Sequence, residues 1–251
     1  MELSGKLKQS LSTKRKTRRG YGKKNGRKIN KGNKNELFSL IGTNAAGLNC
    51  KRESFFRLIN KFRPSIITVQ ESKLSKPGLI KIPGYQTFER IRKSKKGGGL
   101  LTAAVVDLNP ILIESSDDTE VLTIQVQVGT KKIRIINGYG PQEDDDTKDI
   151  LNFWQNIEAE IIKAKDENCM IIIEMDANAK VGNENIQNDP HTITNNGKLL
   201  VDLLLRQNLT MLNATDLCTG TITREKLEIK LKNQLLTILL SVKKCLSMFK
   251  K

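Results

Sequence analysis

The sequence predicts a layered domain of mixed α and β structure over residues 36–225. Two observations carry that expectation: short apolar runs of strand length alternate with stretches at helical periodicity, and one run alternates cleanly between apolar and polar residues. A third bounds the domain, because the net charge of +16 is concentrated at the ends. Residues 1–35 hold 13 Lys or Arg against Glu2, and residues 226–251 hold seven against Glu228. A segment so charged and so poor in large apolar residues cannot bury enough surface to offset its ordering entropy, so 1–35 is expected to be a disordered basic tail. Its cluster Lys14, Arg15, Lys16, Arg18 and Arg19 suits a nuclear address or the phosphates of a nucleic acid; a solvated arm without a partner fits as well.

The elements follow in order. Leu37–Ile41 reads as a first strand, and 51–62 as a helix with Phe55, Leu58, Ile59 and Phe62 on one face, ended by Pro64. Ile66–Val69 is a buried strand and Leu100–Val106 another. Val121–Val128 sets Leu122, Ile124, Val126 and Val128 against Thr123, Gln125 and Gln127, and a turn at Gly129-Thr130 leads to Ile133–Ile136 as the partner of a hairpin. An amphipathic helix is expected over Lys148–Lys165, with Ile150, Leu151, Trp154, Ile157, Ile161 and Ile162, and the preceding Glu143 to Asp146 complement its positive end. Met170–Ile173 is a strand, Lys198–Gln207 a helix and Leu209–Leu212 a strand. No apolar run approaches the roughly 20 residues of a membrane span, and the segment after the basic start lacks a secretory apolar core. The cysteines Cys50, Cys169, Cys218 and Cys245 are scattered, with only His191 to assist them, so reduced thiols are expected rather than a zinc site.

Polar residues at the C-terminal ends of apolar strands are where sites form in sheet enzymes. There are four such places: Thr43-Asn44 with Gly47-Leu48, Gln70-Glu71, Asn137 to Pro141, and Glu174 to Asn178. Each alone reads as readily as a turn or a surface carboxylate. As an ordered set, however, N-x-x-G-L at Asn44, Q-E at Gln70, G-G-G-L at Gly97, N-G-Y-G-P at Asn137, D-x-N at Asp176, N-G at Asn196 and T-x-T-R ending at Arg224 resemble the endonuclease/exonuclease/phosphatase superfamily. The chain looks most like the apurinic-type endonuclease domain of non-LTR (LINE-type) retrotransposons.

That resemblance implies a four-layered α/β sandwich of the DNase I-like type and metal-dependent hydrolysis of phosphodiester bonds. It makes Glu71 and Asn44 the ligands of Mg²⁺ or Mn²⁺, a hard cation that takes oxygen donors and needs only one or two carboxylates. It makes Asp176 the residue that orients or deprotonates the attacking water, with Asn178 holding that geometry and Tyr139 on the phosphate. Arg224 and the basic cluster at 14–19 would contact nucleic acid. DNA is the expected partner, with no membrane and no obligate protein partner, and the expected location is the nucleus, by the basic cluster at 14–19, or otherwise the cytoplasm.

The family pattern continues into an I-D-Y strand and an S-D-H motif, and neither stands in this sequence. The last strands are therefore expected to be missing and activity weak or absent. The rival reading is a noncatalytic nucleic-acid binder that uses its basic ends. Codons for Asn233 to Val242, read two nucleotides later, can spell an I-D-Y strand, so residues 226–251 are expected to be a frameshifted tail. A partner- or membrane-binding helix over Leu227–Phe249 is the alternative for that segment.

Overall fold

Two β-sheets face each other across an apolar interior, and helices cover their outer faces. The computed structural model describes residues 38–92, 97–113, 120–182, 192–215, 227–228 and 237–240. In chain order these are β1 (Ser39–Asn44), α1 (Arg52–Phe62), β2 (Ile66–Gln70), β3 (Tyr85–Arg90), β4 (Leu100–Val105), β5 (Ile111–Ile113), β6 (Val121–Val128), β7 (Lys131–Tyr139), α2 (Thr147–Asp166), β8 (Met170–Asp176), α3 (Asn195–Gln207), β9 (Thr210–Met211), β10 (Leu227–Glu228) and β11 (Thr237–Leu240). The first sheet runs β10-β1-β2-β4-β3 and the second β5-β6-β7-β8-β11-β9. β1 and β2 are parallel, as are β7 and β8, so each pair ends at the same rim: Asn44 pairs with Gln70, and Tyr139 with Asp176.

Three apolar clusters separate four layers. Between the sheets, Phe38, Leu40, Ile66 and Ala104 meet Ile124, Val126, Ile133, Ile135 and Ile172. Outside the first sheet, Phe55 and Ile59 of α1 cover Ile67, Val69, Leu101 and Ala103, with Leu74, Ile80 and Ile82 from the following loop. Outside the second, Ile150, Phe153, Trp154, Ile157 and Ile161 of α2 and Leu200 and Leu203 of α3 cover Val121, Ile136, Ile171, Ile173 and Met175. The expected α/β four-layered sandwich is the architecture observed.

Strands with both faces covered explain several departures from the sequence reading. Thr123 is as buried as its apolar neighbours, because α2 lies over the side of β6 that alternation assigns to solvent. On α1 the covered face is Phe55 and Ile59, and Phe62 is exposed. On α2, Leu151 and Ile162 point outward and Phe153 takes a core position. β3 and β5 were not expected: both are edge strands, β3 is nowhere fully buried and shows no apolar run, and the apolar run of β5, Ile-Leu-Ile, is only three residues long and largely exposed. The acidic run divides its work. Asp146 caps α2, its side chain accepting from Lys148 N at 2.7 Å, whereas Glu143 accepts from Asn195 N at 2.7 Å and so serves α3.

The segment expected as a tail supplies β10 and β11. β10 pairs antiparallel with β1, and β11 lies parallel between β8 and β9, within the second sheet rather than absent from it. Thr-Ile-Leu-Leu is a run with strand propensity, and β8 would otherwise present an open ladder edge. A continuous helix over Leu227–Phe249 is excluded by these two strands; the remainder of that segment, His191, Arg224, residues 1–37 and Lys93 to Lys96 lie outside the described residues. No described helix is long and apolar enough to cross a membrane. Cys50 is exposed, Cys169 is buried, and both are free thiols.

Candidate active site

The inner faces of four strands change character pleat by pleat toward the shared rim. Alternate residues point to the same side of a strand. Leu40, Gly42 and Asn44 therefore follow one another on β1, Ile66, Thr68 and Gln70 on β2, Ile135, Asn137 and Tyr139 on β7, and Ile172, Glu174 and Asp176 on β8. The first of each set lies in or beside the inter-sheet hydrocarbon, the second and Gln70 in a buried polar layer, and Asn44, Tyr139 and Asp176 at the rim. Glu71 follows Gln70 directly and by alternation would face away. Its backbone is left-handed, with φ of +48°, a conformation costly for a residue with a Cβ, and this brings two consecutive side chains to the same side. Asn178 also has a left-handed φ, of +46°.

Asn44 joins the two sheets at the rim. Its Nδ2 donates to Glu71 Oε1 at 2.8 Å and to Asp176 Oδ2 at 2.6 Å, while its Oδ1 accepts from Ala46 N at 2.9 Å. Tyr139 OH donates to Glu71 Oε1 at 3.0 Å, and Lys73 Nζ sits 3.0 Å from Glu71 Oε2. Asn178 donates from Nδ2 to Gly140 O at 2.6 Å and from its backbone N to Asp176 Oδ1 at 3.2 Å; its own buried Oδ1 has no hydrogen-bond partner among the described residues. Burial pushes the Glu71 carboxyl up, but the hydrogen bonds from Asn44, Lys73 and Tyr139 outweigh it and hold Glu71 below the usual carboxylate range. Burial, followed by the Glu71 charge, pushes the Tyr139 phenol well above its ordinary value, which keeps it a donor.

One pleat deeper, the two sheets are held by buried hydrogen bonds. Thr68 Oγ1 and Gln70 Nε2 both donate to Glu174 Oε2 at 2.6 Å, and Gln70 Nε2 also reaches Asn137 Oδ1 at 2.8 Å. Asn137 Nδ2 donates to Leu101 O at 3.0 Å and Thr102 Oγ1 at 3.1 Å. Burial pushes the Glu174 carboxyl up to about 7, against the two hydrogen bonds, and the nearby Asp176 charge adds to the rise. Gly42 makes room for it: a Cβ there would fall 2.0 Å from Glu174 Oε1.

Five residues singled out in the sequence, Asn44, Glu71, Tyr139, Asp176 and Asn178, thus converge. The glycine run lies against the segment that follows Glu71. Gly99 and Gly98 carbonyls accept from Ser72 N at 2.9 Å and Lys73 N at 3.0 Å, and Gly99 N donates to Glu120 Oε2 at 2.7 Å, so the run braces the chain just after Glu71. Lys73 and Glu120 were not anticipated; adjacency to the Q-E pair was the one sequence signal for Lys73, and Glu120 had none.

Among solved structures, the chain is similar to the AP endonuclease LMAP from Leishmania major, at 14% identity and a TM-score of 0.58, over 68% of this chain and 67% of that one. A 3′ phosphatase, NExo from Neisseria, bound to a product DNA hairpin, gives 14% identity and a TM-score of 0.53 over 69% and 72%. The endonuclease domain of TRAS1, a telomere-specific non-LTR retrotransposon, gives 15% and 0.51 over 74% and 75%. The chain shares the fold of these three enzymes. No family model and no curated sequence matches the chain. The likeness is therefore one of architecture, and in this fold the four strand ends that form the rim are the ones marked in the sequence. Among the described residues there is no cluster of three or more His, Cys, Asp or Glu suited to a metal ion. What the rim offers is a sparser oxygen set, Glu71 and Asp176 on either side of Asn44. Such a set fits a hard cation that retains most of its water. Asn44 presents its amide nitrogen to both carboxylates, so its oxygen becomes a ligand only after the amide turns over.

Proposed function

We propose that this chain is a retrotransposon-type, metal-dependent phosphodiesterase domain whose substrate is DNA. The observation that carries the reading is the Asn44 bridge: one amide nitrogen holds Glu71 of one sheet and Asp176 of the other at a common rim, with the Tyr139 hydroxyl on the same Glu71 oxygen. Glu71 would hold Mg²⁺ or Mn²⁺, with Asn44 beside it, and the bound ion would supply a Lewis acid for the phosphate. The chain's own residues do the rest. Asp176 is fixed by Asn44 on one oxygen and by the Asn178 backbone on the other, which orients it toward a water at the rim. The unpartnered Asn178 Oδ1 is an acceptor suited to the second proton of that water. Tyr139, kept protonated, donates to Glu71 here and is placed to donate to a phosphate oxygen. Positioning and fixed charge supply most of the acceleration in such a site.

DNA is favoured by the DNA-bound 3′ phosphatase and the retrotransposon endonuclease domain among structures of this fold. Each preorganised group removed from such a site costs about 10²–10³ in rate. The basic clusters at the chain ends, Arg224 among them, would add salt-sensitive affinity for the phosphates. The test is nicking of supercoiled plasmid with Mg²⁺ by the full chain and by Glu71→Ala and Asp176→Ala. Metal-dependent nicking lost in both variants supports the reading. Salt-sensitive binding with no nicking in the parent chain replaces it with a noncatalytic DNA binder.

A further inference from the structure

Lys73 stands where a second positive charge must compete with a metal ion. Its ammonium is 3.0 Å from Glu71 Oε2, while Asn44 and Tyr139 occupy Oε1, so every direction in which Glu71 shows a partner is already taken by a donor. The placement is built rather than incidental. Lys73 has a left-handed φ of +50°, its N–H is tied to Gly98 O, and its stem passes between two glycines: a Cβ on Gly47 would lie 3.8 Å from its Cδ and one on Gly97 3.7 Å from its Cε. Its side chain is nevertheless 41% exposed, so the ammonium can leave without unpacking anything. A carboxylate oxygen serves either an ammonium or a hard divalent cation, and a divalent ion at bonding distance from Glu71 would stand against the ammonium with like-charge repulsion.

We propose that Lys73 is a tethered counter-cation that alternates with the divalent ion on Glu71. In the metal-free chain the ammonium neutralises Glu71 and stops the two rim carboxylates from repelling each other. When a divalent ion binds, Lys73 is expelled into the rim and adds its charge where a phosphate would lie. The inference rests on the proposed metal-binding role of Glu71, and its test separates the two.

The test is direct binding of Mn²⁺ alone to the full chain, by calorimetry or by the electron-spin signal of the free ion, in the parent, K73Q, K73R and E71Q. Removing a half-exposed competing ion pair is expected to tighten Mn²⁺ binding in K73Q by about fivefold, whereas K73R, which keeps the charge, stays near the parent. Binding by K73Q that is equal to or weaker than the parent's, or undetectable in both, overturns the competition. Unchanged Mn²⁺ binding in E71Q overturns the metal-binding role of Glu71 itself. A cooperative melt of K73Q matching that of the parent confirms that the comparison is between folded proteins, and K73M replaces it if K73Q does not melt cooperatively.

Discussion

The rim and the polar layer one pleat beneath it stand on the same four strands, yet they obey opposite rules. At the rim, Asn44, Glu71 and Tyr139 are part-exposed and Asp176 is buried behind them, and the two acids accept from side chains and backbone of the rim itself. Beneath it, Thr68, Gln70, Asn137 and Glu174 are closed off from water and are spent on one another and on the backbone of the facing sheet. The difference teaches how this fold holds a catalytic rim: the sheets are clamped by buried hydrogen bonds just below the site, where hydrocarbon alone would not fix their relative position. Burial raises both acids, but at Glu71 it is outweighed by hydrogen bonds from Asn44, Lys73 and Tyr139, which hold it below the ordinary carboxylate range, whereas at Glu174 burial outweighs the bonds from Thr68 and Gln70 and pushes it up.

Glu174→Gln gives the largest expected effect on stability and breaks the comparison if it fails. Below pH 4.5 the acid is protonated in both folded and unfolded chains, and its contribution to stability is complete. As pH rises from there to about 7 the unfolded chain loses the proton first, so that stability falls, by a total on the order of 3 kcal/mol once the folded-state value has been passed. Urea denaturation of Glu174→Gln at pH 5 and pH 8 is expected to show that difference removed; an unchanged fall with pH contradicts the buried placement of the acid. Gly42→Ala comes next. Its Cβ must displace the Glu174 carboxylate, at a cost of about 1–3 kcal/mol, and the cost is expected to shrink when Glu174→Ala is made in the same chain. Additive losses in that double-mutant cycle would mean the two residues do not meet. Thr68→Val is the mildest: losing one of two donors to Glu174 is expected to cost about 1 kcal/mol, read from the shift in urea midpoint.

The two layers were not equally legible in the sequence. Asn44, Glu71, Tyr139 and Asp176 could be found because each follows an apolar run, and a polar residue at such a boundary marks where burial ends. Glu174 stands at the same kind of boundary, next to Asp176, but nothing in the order Glu-Met-Asp says that the glutamate lies a full pleat inside. That follows from the facing sheet, which supplies Gly42 and Thr68 from more than 100 positions away. The same ambiguity hid Thr123, whose alternation with apolar neighbours points to solvent until α2 is placed over it. Lys73 escaped because its role depends on the left-handed turn at Glu71, and a single sequence does not show a backbone angle. The strands β10 and β11 were not legible in the segment read as a tail, because Leu227–Glu228 and Thr237–Leu240 take strand form where they meet the edges of β1 and β8.

The most direct measurement is plasmid nicking and thermal melting on the same preparation of Asp176→Asn. Loss of the carboxylate charge at nearly constant shape is expected to abolish Mg²⁺-dependent nicking, a drop of about 10³-fold or more, while the chain still melts cooperatively, because relief of the charge facing Glu174 offsets the loss of one of the two hydrogen bonds that Asp176 accepts from Asn44 and Asn178. Nicking that survives at the parent rate in a variant that melts normally would contradict the assignment of this rim as the catalytic site.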